Sequence, residues 1–270
     1  MSELRRIARE LKQRLELDRL AGWDVPVRAS ALHAPGARTA PPPPPTEASR
    51  TGAAPAATTR TDASPADRIR TEAPRLRFTE ERGRKELLLA PLREAVASCT
   101  KCSLCHARTQ TVFGVGDPTT RLMFIGEAPG FDEDRQGEPF VGRAGQLLND
   151  IIKAMGLRRE EIYIANVVKC RPPNNRVPNP AETGSCLEYL EEQIRIVSPA
   201  AIVALGGVAA KALLDTDLPL GRLRGRFHEH RGIPLMPTYH PAYLLRYPTE
   251  KRKTWEDIQL VMVELGLKRP

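Results

Sequence analysis

RLMFIGEAPGFDEDRQGEPFVGRAG, Arg121 to Gly145, is the stretch whose reading decides the fold. Leu122 to Ile125 is a short apolar run of the kind found in strands buried on both faces. It breaks at Gly126-Glu127-Ala128-Pro129-Gly130, a turn of small and rigid residues that lets a ligand approach the backbone closely. An acidic patch (Asp132, Glu133, Asp134) and Phe140 follow. A helix then carries Leu147, Leu148, Ile151, Ile152 and Met155 on one stripe. In an α/β protein the loop after a parallel strand is where ligands bind, so this turn is the first candidate site. A bare GxxPG is a common turn, whereas the longer string GEAPGxxEDRQGxPFVGRAGQLL is far more specific.

Outward from that stretch, Ile162 to Val168 is a second apolar run, ending at Lys169-Cys170-Arg171-Pro172-Pro173. Asn179 reads as an N-cap, with Pro180 at the first helical position and Glu182 closing a capping box. The helix it opens presents Cys186, Leu190, Ile194 and Val197 on one face. Ala201 to Leu205 is a third strand, turned by Gly206-Gly207 into the helix Val208 to Leu214. Ile233 to Tyr239 is a fourth, followed by HPAYLLR (240–246) and a last helix with Trp255, Ile258, Met262 and Leu265. Upstream, the helix Leu87 to Ala97 closes at Cys99-Thr100-Lys101-Cys102. Strands alternate with helices, which predicts one α/β domain over residues 76–270, with a mostly parallel central sheet flanked by helices.

The first part of the chain is of a different kind. Residues 1–27 read as an amphipathic helix, with Leu4, Ile7, Leu11 and Leu15 on one stripe. Residues 28–75 are dominated by Ala, Pro, Thr, Ser and Arg, including the run Pro41 to Pro45, and predict a disordered tether. The helix either packs on the main domain or docks on a protein partner; the tether favours the partner. With 41 Lys and Arg against 33 acids, a formal charge of +8, the chain suits a polyanion. No apolar run is long enough to span a bilayer, and Met1-Ser2-Glu3 opens a charged helix instead of a secretory signal, so a cytoplasmic monomer with no membrane partner is expected.

In that compartment five cysteines are metal ligands or free thiols more often than disulfides. Cys99 and Cys102 form a CxxC at a helix end, while Cys170 ends a strand and Cys186 lies on the inner face of the next helix. Four thiolates gathered by the fold suit a 4Fe-4S cluster or a Zn(Cys)4 site, and spacing alone does not separate the two. The plainer reading makes Cys170 and Cys186 buried core residues and CxxC a redox pair. Cys105 is left over as a free thiol.

Taken together, GEAPG, NVVKCRPPNNR, the four cysteines and HPAYLLR resemble the motifs of the iron–sulfur uracil-DNA glycosylases, family 4 of that superfamily, over about Leu92 to Leu265. The resemblance implies a hydrolase that flips uracil out of single- or double-stranded DNA and cuts its glycosidic bond, initiating base excision repair. It implies a 4Fe-4S cluster on Cys99, Cys102, Cys170 and Cys186. Ala128, Phe140 and Asn166 are the uracil contacts it implies, with Phe140 against the base and Asn166 on its amide edge. An Asn in a strand also bonds backbone, and a Phe also serves as core.

His240, at the end of the last strand, is placed to donate to uracil O2 as charge develops. Tyr243, Leu244, Leu245 and Arg246 would wedge into the gap left by the base. From Leu218 to Thr254 eight basic residues meet only Glu229 and Glu250, so Lys251, Arg252, Lys253, Arg222, Arg224 and Arg226 read as a phosphate track. His228 and His230 read as surface residues of a hairpin. Family 1 relatives carry Asp where Ala128 stands and Tyr where Gly130 stands. Glu127 is the matching carboxylate here, either positioning water or crowding the thymine methyl. The competing function is a catalytically silent DNA-binding module of the same fold, against which Glu127, Asn166 and His240 together argue.

Overall fold

The computed structural model describes residues 65–268. Among these the order is α1 (Pro65–Ala97), β1 (Val115–Gly116), β2 (Leu122–Gly126), α2 (Phe131–Gln136), α3 (Arg143–Ala154), β3 (Tyr163–Asn166) and α4 (Pro180–Val197). Then follow β4 (Ala201–Leu205), α5 (Gly207–Leu214), α6 (Leu220–Leu223), β5 (His228–His230), β6 (Ile233–Thr238), α7 (Pro241–Arg246) and α8 (Lys251–Glu264). The helix proposed for residues 1–27 lies outside the described residues, as does most of the tether; α1 begins inside the tether's last stretch.

The six strands form one sheet in the order β1-β3-β2-β4-β6-β5. The four inner strands pair in parallel, and the two short edge strands pair antiparallel. The mostly parallel sheet is therefore as expected. The edge β1 was not separable from sequence, because two residues carry no periodicity, whereas β5 with β6 forms the hairpin expected around His228 and His230.

Strand β2 shows why the fold is a three-layer sandwich. Its five residues are all buried, and alternate side chains enter opposite cores. Met123 and Ile125 pack with Leu190 and Ile194 of α4 and Ala209 of α5. Leu122 and Phe124 pack with Leu148 and Ile152 of α3 and Ile258 and Met262 of α8. Truncating any one of the leucines, isoleucines or methionines among these, or Phe124, to alanine costs roughly 2–5 kcal/mol, the transfer term plus the cavity left behind. Both faces are covered, so the inner strands read as unbroken apolar runs.

Local chemistry sets the ends. Asn179 Oδ1 accepts from the Glu182 amide at 2.8 Å and the Glu182 carboxylate accepts from the Asn179 amide at 2.9 Å, the reciprocal cap expected from the sequence. The turn after β2 is pinned by Glu133, whose carboxylate accepts from the amides of Gly130, Val141 and Gly142 at 3.0–3.1 Å. The acidic patch thus splits, since Asp134 also points inward and accepts from the Thr109 amide. No described helix is long and apolar enough to cross a membrane.

Candidate active site and cysteine cavity

Strands β2, β3 and β6 end on the same side of the sheet, and the segments that follow them wall an open cleft. Glu127, Ala128, Phe140, Asn166, His240, Tyr243, Leu245 and Arg246 all face it. The loops after β2 and β3 are zipped together by the Val167 and Val168 amides, which donate to the carbonyls of Gly126 and Glu127 at 2.9 and 3.0 Å. Asn166 and Glu127 therefore share one rigid frame.

Asn166 is the last residue of β3 and is 2% exposed. Its Oδ1 is buried without any hydrogen-bond partner. An acceptor left orphaned in a core costs roughly 1–3 kcal/mol, a cost retained where a ligand is to satisfy it. The floor is tightly made. A Cβ on Gly126 would come within 2.6 Å of Phe140 Cζ and would also collide with Asn166 Oδ1. Phe140 is itself held in the left-handed region (φ 55°), strained backbone for an aromatic residue, with its carbonyl against Gly145. Its ring stacks on His240 with centroids 5.4 Å apart.

His240 caps α7, and its Nδ1 accepts from the Ala242 amide at 3.1 Å. That bond uses the Nδ1 lone pair and leaves the proton of the neutral ring on Nε2. Burial, reinforced by the charge of Arg246, pushes the His240 pKa down to about 4, so the ring is neutral at physiological pH. Glu127 is half-buried, and desolvation alone raises its carboxyl above the usual range.

Not every sequence-derived candidate reaches the cleft. Leu244 is 1% exposed and faces α3 and α8, because on the short helix α7 it lies about a quarter turn round from the exposed Leu245. Leu245 and Arg246 are exposed. Arg224 is likewise turned inward, paired with the buried Asp257 at 2.8 Å, while Asp257 also accepts from Thr238 at 2.6 Å. Lys253 pairs with Glu250 at 2.8 Å and is half-buried, while Lys251 and Arg252 are exposed, Arg252 in a looser pair with Glu256 at 3.5 Å. His230 is no surface residue: it is buried, bonded to the Leu213 carbonyl at 2.7 Å and to Glu191 at 3.2 Å.

The four cysteines converge elsewhere. Cys99, Cys102, Cys170 and Cys186 line a single small cavity with Cys105, Arg108, Lys169 and Tyr189; Cys170 and Cys186 are buried, and the other three cysteines half-buried. Two sulfurs already receive donors, Cys186 from the Lys169 amide and Cys170 from Arg108 Nη1, both at 3.2 Å. Arg108 also ties the carbonyls of Ala97 and Cys99, fixing the CxxC turn. Burial pushes the Cys170 thiol up to about 11, a cost that a bound cation offsets. No three His, Cys, Asp or Glu among the described residues are grouped as a single metal ion requires.

Sequence reasoning passed over Arg108 and Lys169, although Lys169 stands inside a motif it used. Lys169 is 1% exposed, and its Nζ donates to the Asn166 carbonyl at 2.8 Å and to Gln193. One residue thus joins the cysteine cavity, through its amide, to the end of β3 at the cleft, through its ammonium.

The comparisons with known proteins agree with this geometry. The family model of the uracil DNA glycosylase superfamily matches residues 113–259. The type-4 uracil-DNA glycosylase of Thermotoga maritima is 45% identical over 179 residues, covering 65% of this chain and 93% of its own. That of Pyrobaculum aerophilum is 43% identical over 180 residues, 64% of this chain and 92% of its own. That of Archaeoglobus fulgidus is 41% identical over 183 residues, 65% of this chain and 92% of its own. With the family model over more than half its length and these relatives matched almost end to end, the chain belongs to the uracil-DNA glycosylase superfamily, in its type-4 family.

Proposed function

We propose that the protein excises uracil from DNA by hydrolysing the N-glycosidic bond, as a monofunctional glycosylase that initiates base excision repair. The observation that carries this reading is the orphaned Asn166 Oδ1 at the bottom of the cleft. A flipped uracil offers N3–H to that oxygen and O4 to the Asn166 amide N–H. Cytosine offers an acceptor and a donor in the opposite order and leaves two buried groups unpaired. Phe140 lies against the base. As the C1′–N1 bond breaks, its electron pair leaves on uracil, and the neutral His240 donates Nε2–H to O2, where that charge collects. Glu127 orients a water whose oxygen bonds to C1′ and takes up its proton, a role favoured by a carboxyl pKa raised towards neutrality. Arg246 and Arg143 at the cleft, with Lys251 and Arg252 beyond it, meet phosphates, and Tyr243 and Leu245 fill the gap left by the base.

Cys99, Cys102, Cys170 and Cys186 are the residues that would hold a 4Fe-4S cluster. Four thiols from three segments around one cavity, with amide and guanidinium donors on two sulfurs, fit such a group, and the type-4 relatives favour it over a single zinc ion. When bound it supplies iron–thiolate cross-links that close the fold; hydrolysis itself transfers no electrons. Residues 1–27 are proposed to dock on a protein partner. The deciding experiment incubates the pure protein with a uracil-bearing oligonucleotide and then cleaves with alkali. A strand break at uracil is expected, and DNA that is bound but never rendered alkali-labile there would overturn the reading.

A further inference from the structure

Three tyrosines at helical spacing, Tyr239, Tyr243 and Tyr247, stack into a column whose two end rings, Tyr239 and Tyr247, have no part in the proposed reaction. The Tyr239 and Tyr243 rings are 5.0 Å apart and 20° from parallel, and those of Tyr243 and Tyr247 are 4.6 Å apart and tilted by 35°. The foot of the column is fixed, because the Arg224 guanidinium lies 5.3 Å from the Tyr239 ring centre while clamped to buried Asp257. Its middle ring, Tyr243, lines the cleft. Its top ring, Tyr247, is 53% exposed, follows the exposed Leu245 and Arg246, and precedes Lys251 and Arg252.

A rigid aromatic face at the rim of a nucleic-acid cleft, flanked by unburied cations, is the arrangement on which unpaired bases stack. Within the reading of the cleft as a glycosylase site, on which this inference rests, we propose that Tyr247 is a stacking platform for an unpaired nucleobase neighbouring the uracil, favouring single-stranded substrate. Every base has a π-face, so the platform is indifferent to sequence. In a duplex the neighbouring base is already stacked and paired, so Tyr247 gains little there. Preorganisation is built in: the ring is held by two others and a buried ion pair, and loses little freedom when a base settles on it.

The test measures KM for uracil excision from single-stranded and duplex oligonucleotides of one sequence. Tyr247→Ala is expected to raise the single-strand KM roughly tenfold or more, and the duplex KM less than threefold. Tyr247→Phe should restore the wild-type ratio, since stacking needs the ring and not the hydroxyl. Independently, 2-aminopurine placed on either side of the uracil in a single strand should be quenched by the wild-type protein at one of the two positions, and released from quenching in Tyr247→Ala. An unchanged ratio of KM values in Tyr247→Ala, or no quenching at either position by the wild type, overturns the platform while leaving excision intact. Failure of the wild type to excise uracil from either substrate would instead strike the glycosylase reading.

Discussion

At the scale of single residues, the proposed chemistry rests on two polar atoms that the fold leaves free at the cleft, Asn166 Oδ1 and His240 Nε2. Asn166→Asp replaces a donor by a carboxylate that repels uracil O4, so kcat/KM should fall by roughly a hundredfold or more in steady-state excision assays. His240→Ala should raise the barrier by roughly 2–4 kcal/mol if the imidazole is the donor to the departing anion. A loss under tenfold would assign that role to another group. His240 and Glu127 fix the pH profile. His240, with its pKa near 4, stays neutral and contributes no limb around 6.5. Glu127 must be ionised, so the rate should fall towards acid with a midpoint above that of an ordinary glutamate, and Glu127→Gln should erase that limb. Stability follows His240 in a definite direction. The unfolded chain binds its proton near 6.5 and the folded one only near 4, so its share of stability is present above about 6.5 and is lost between there and about 4.

At the scale of elements, the cysteines from the α1 end, the β3 end and the face of α4 are asked to close one site. Replacing any of Cys99, Cys102, Cys170 or Cys186 with serine should remove a brown colour and visible absorbance from the purified protein and lower its thermal midpoint. Cys105→Ala should keep both. A colourless protein carrying one zinc per chain would decide against the cluster. What was legible in the sequence follows from these elements. The inner strands and α4 declared themselves because each is long enough for its pattern to be read, and Asn179 with Glu182 announced the start of α4. The direction of Leu244 and Arg224 did not show, since α7 has one and a half turns and no stripe to phase it. Arg224 looked like a phosphate ligand because its partner, Asp257, is 33 residues away. Lys169 and the inward turn of Asp134 were hidden for the same reason: their partners are brought by the fold, and charge in a sequence carries no sign of burial.

At the scale of the whole molecule, the sheet, the cleft and the cysteine cavity all lie within residues 65–268, and α1 packs on that core: Leu89 and Val96 are buried, and Lys85 donates to the Val197 carbonyl at 2.9 Å. Removing residues 1–64 should therefore leave excision from a short oligonucleotide and the thermal midpoint nearly unchanged, while abolishing co-purification with a partner of the N-terminal helix. Unfolding or loss of colour in the truncated protein would place that helix in the core instead. The sheet's two edges carry a different consequence. The strands that finish it, β1 and β5, run for only two and three residues and lie antiparallel to a parallel interior. A neighbouring copy thus meets almost no free ladder on which to extend the sheet, and the route by which concentrated α/β proteins gel into fibres is closed at both ends.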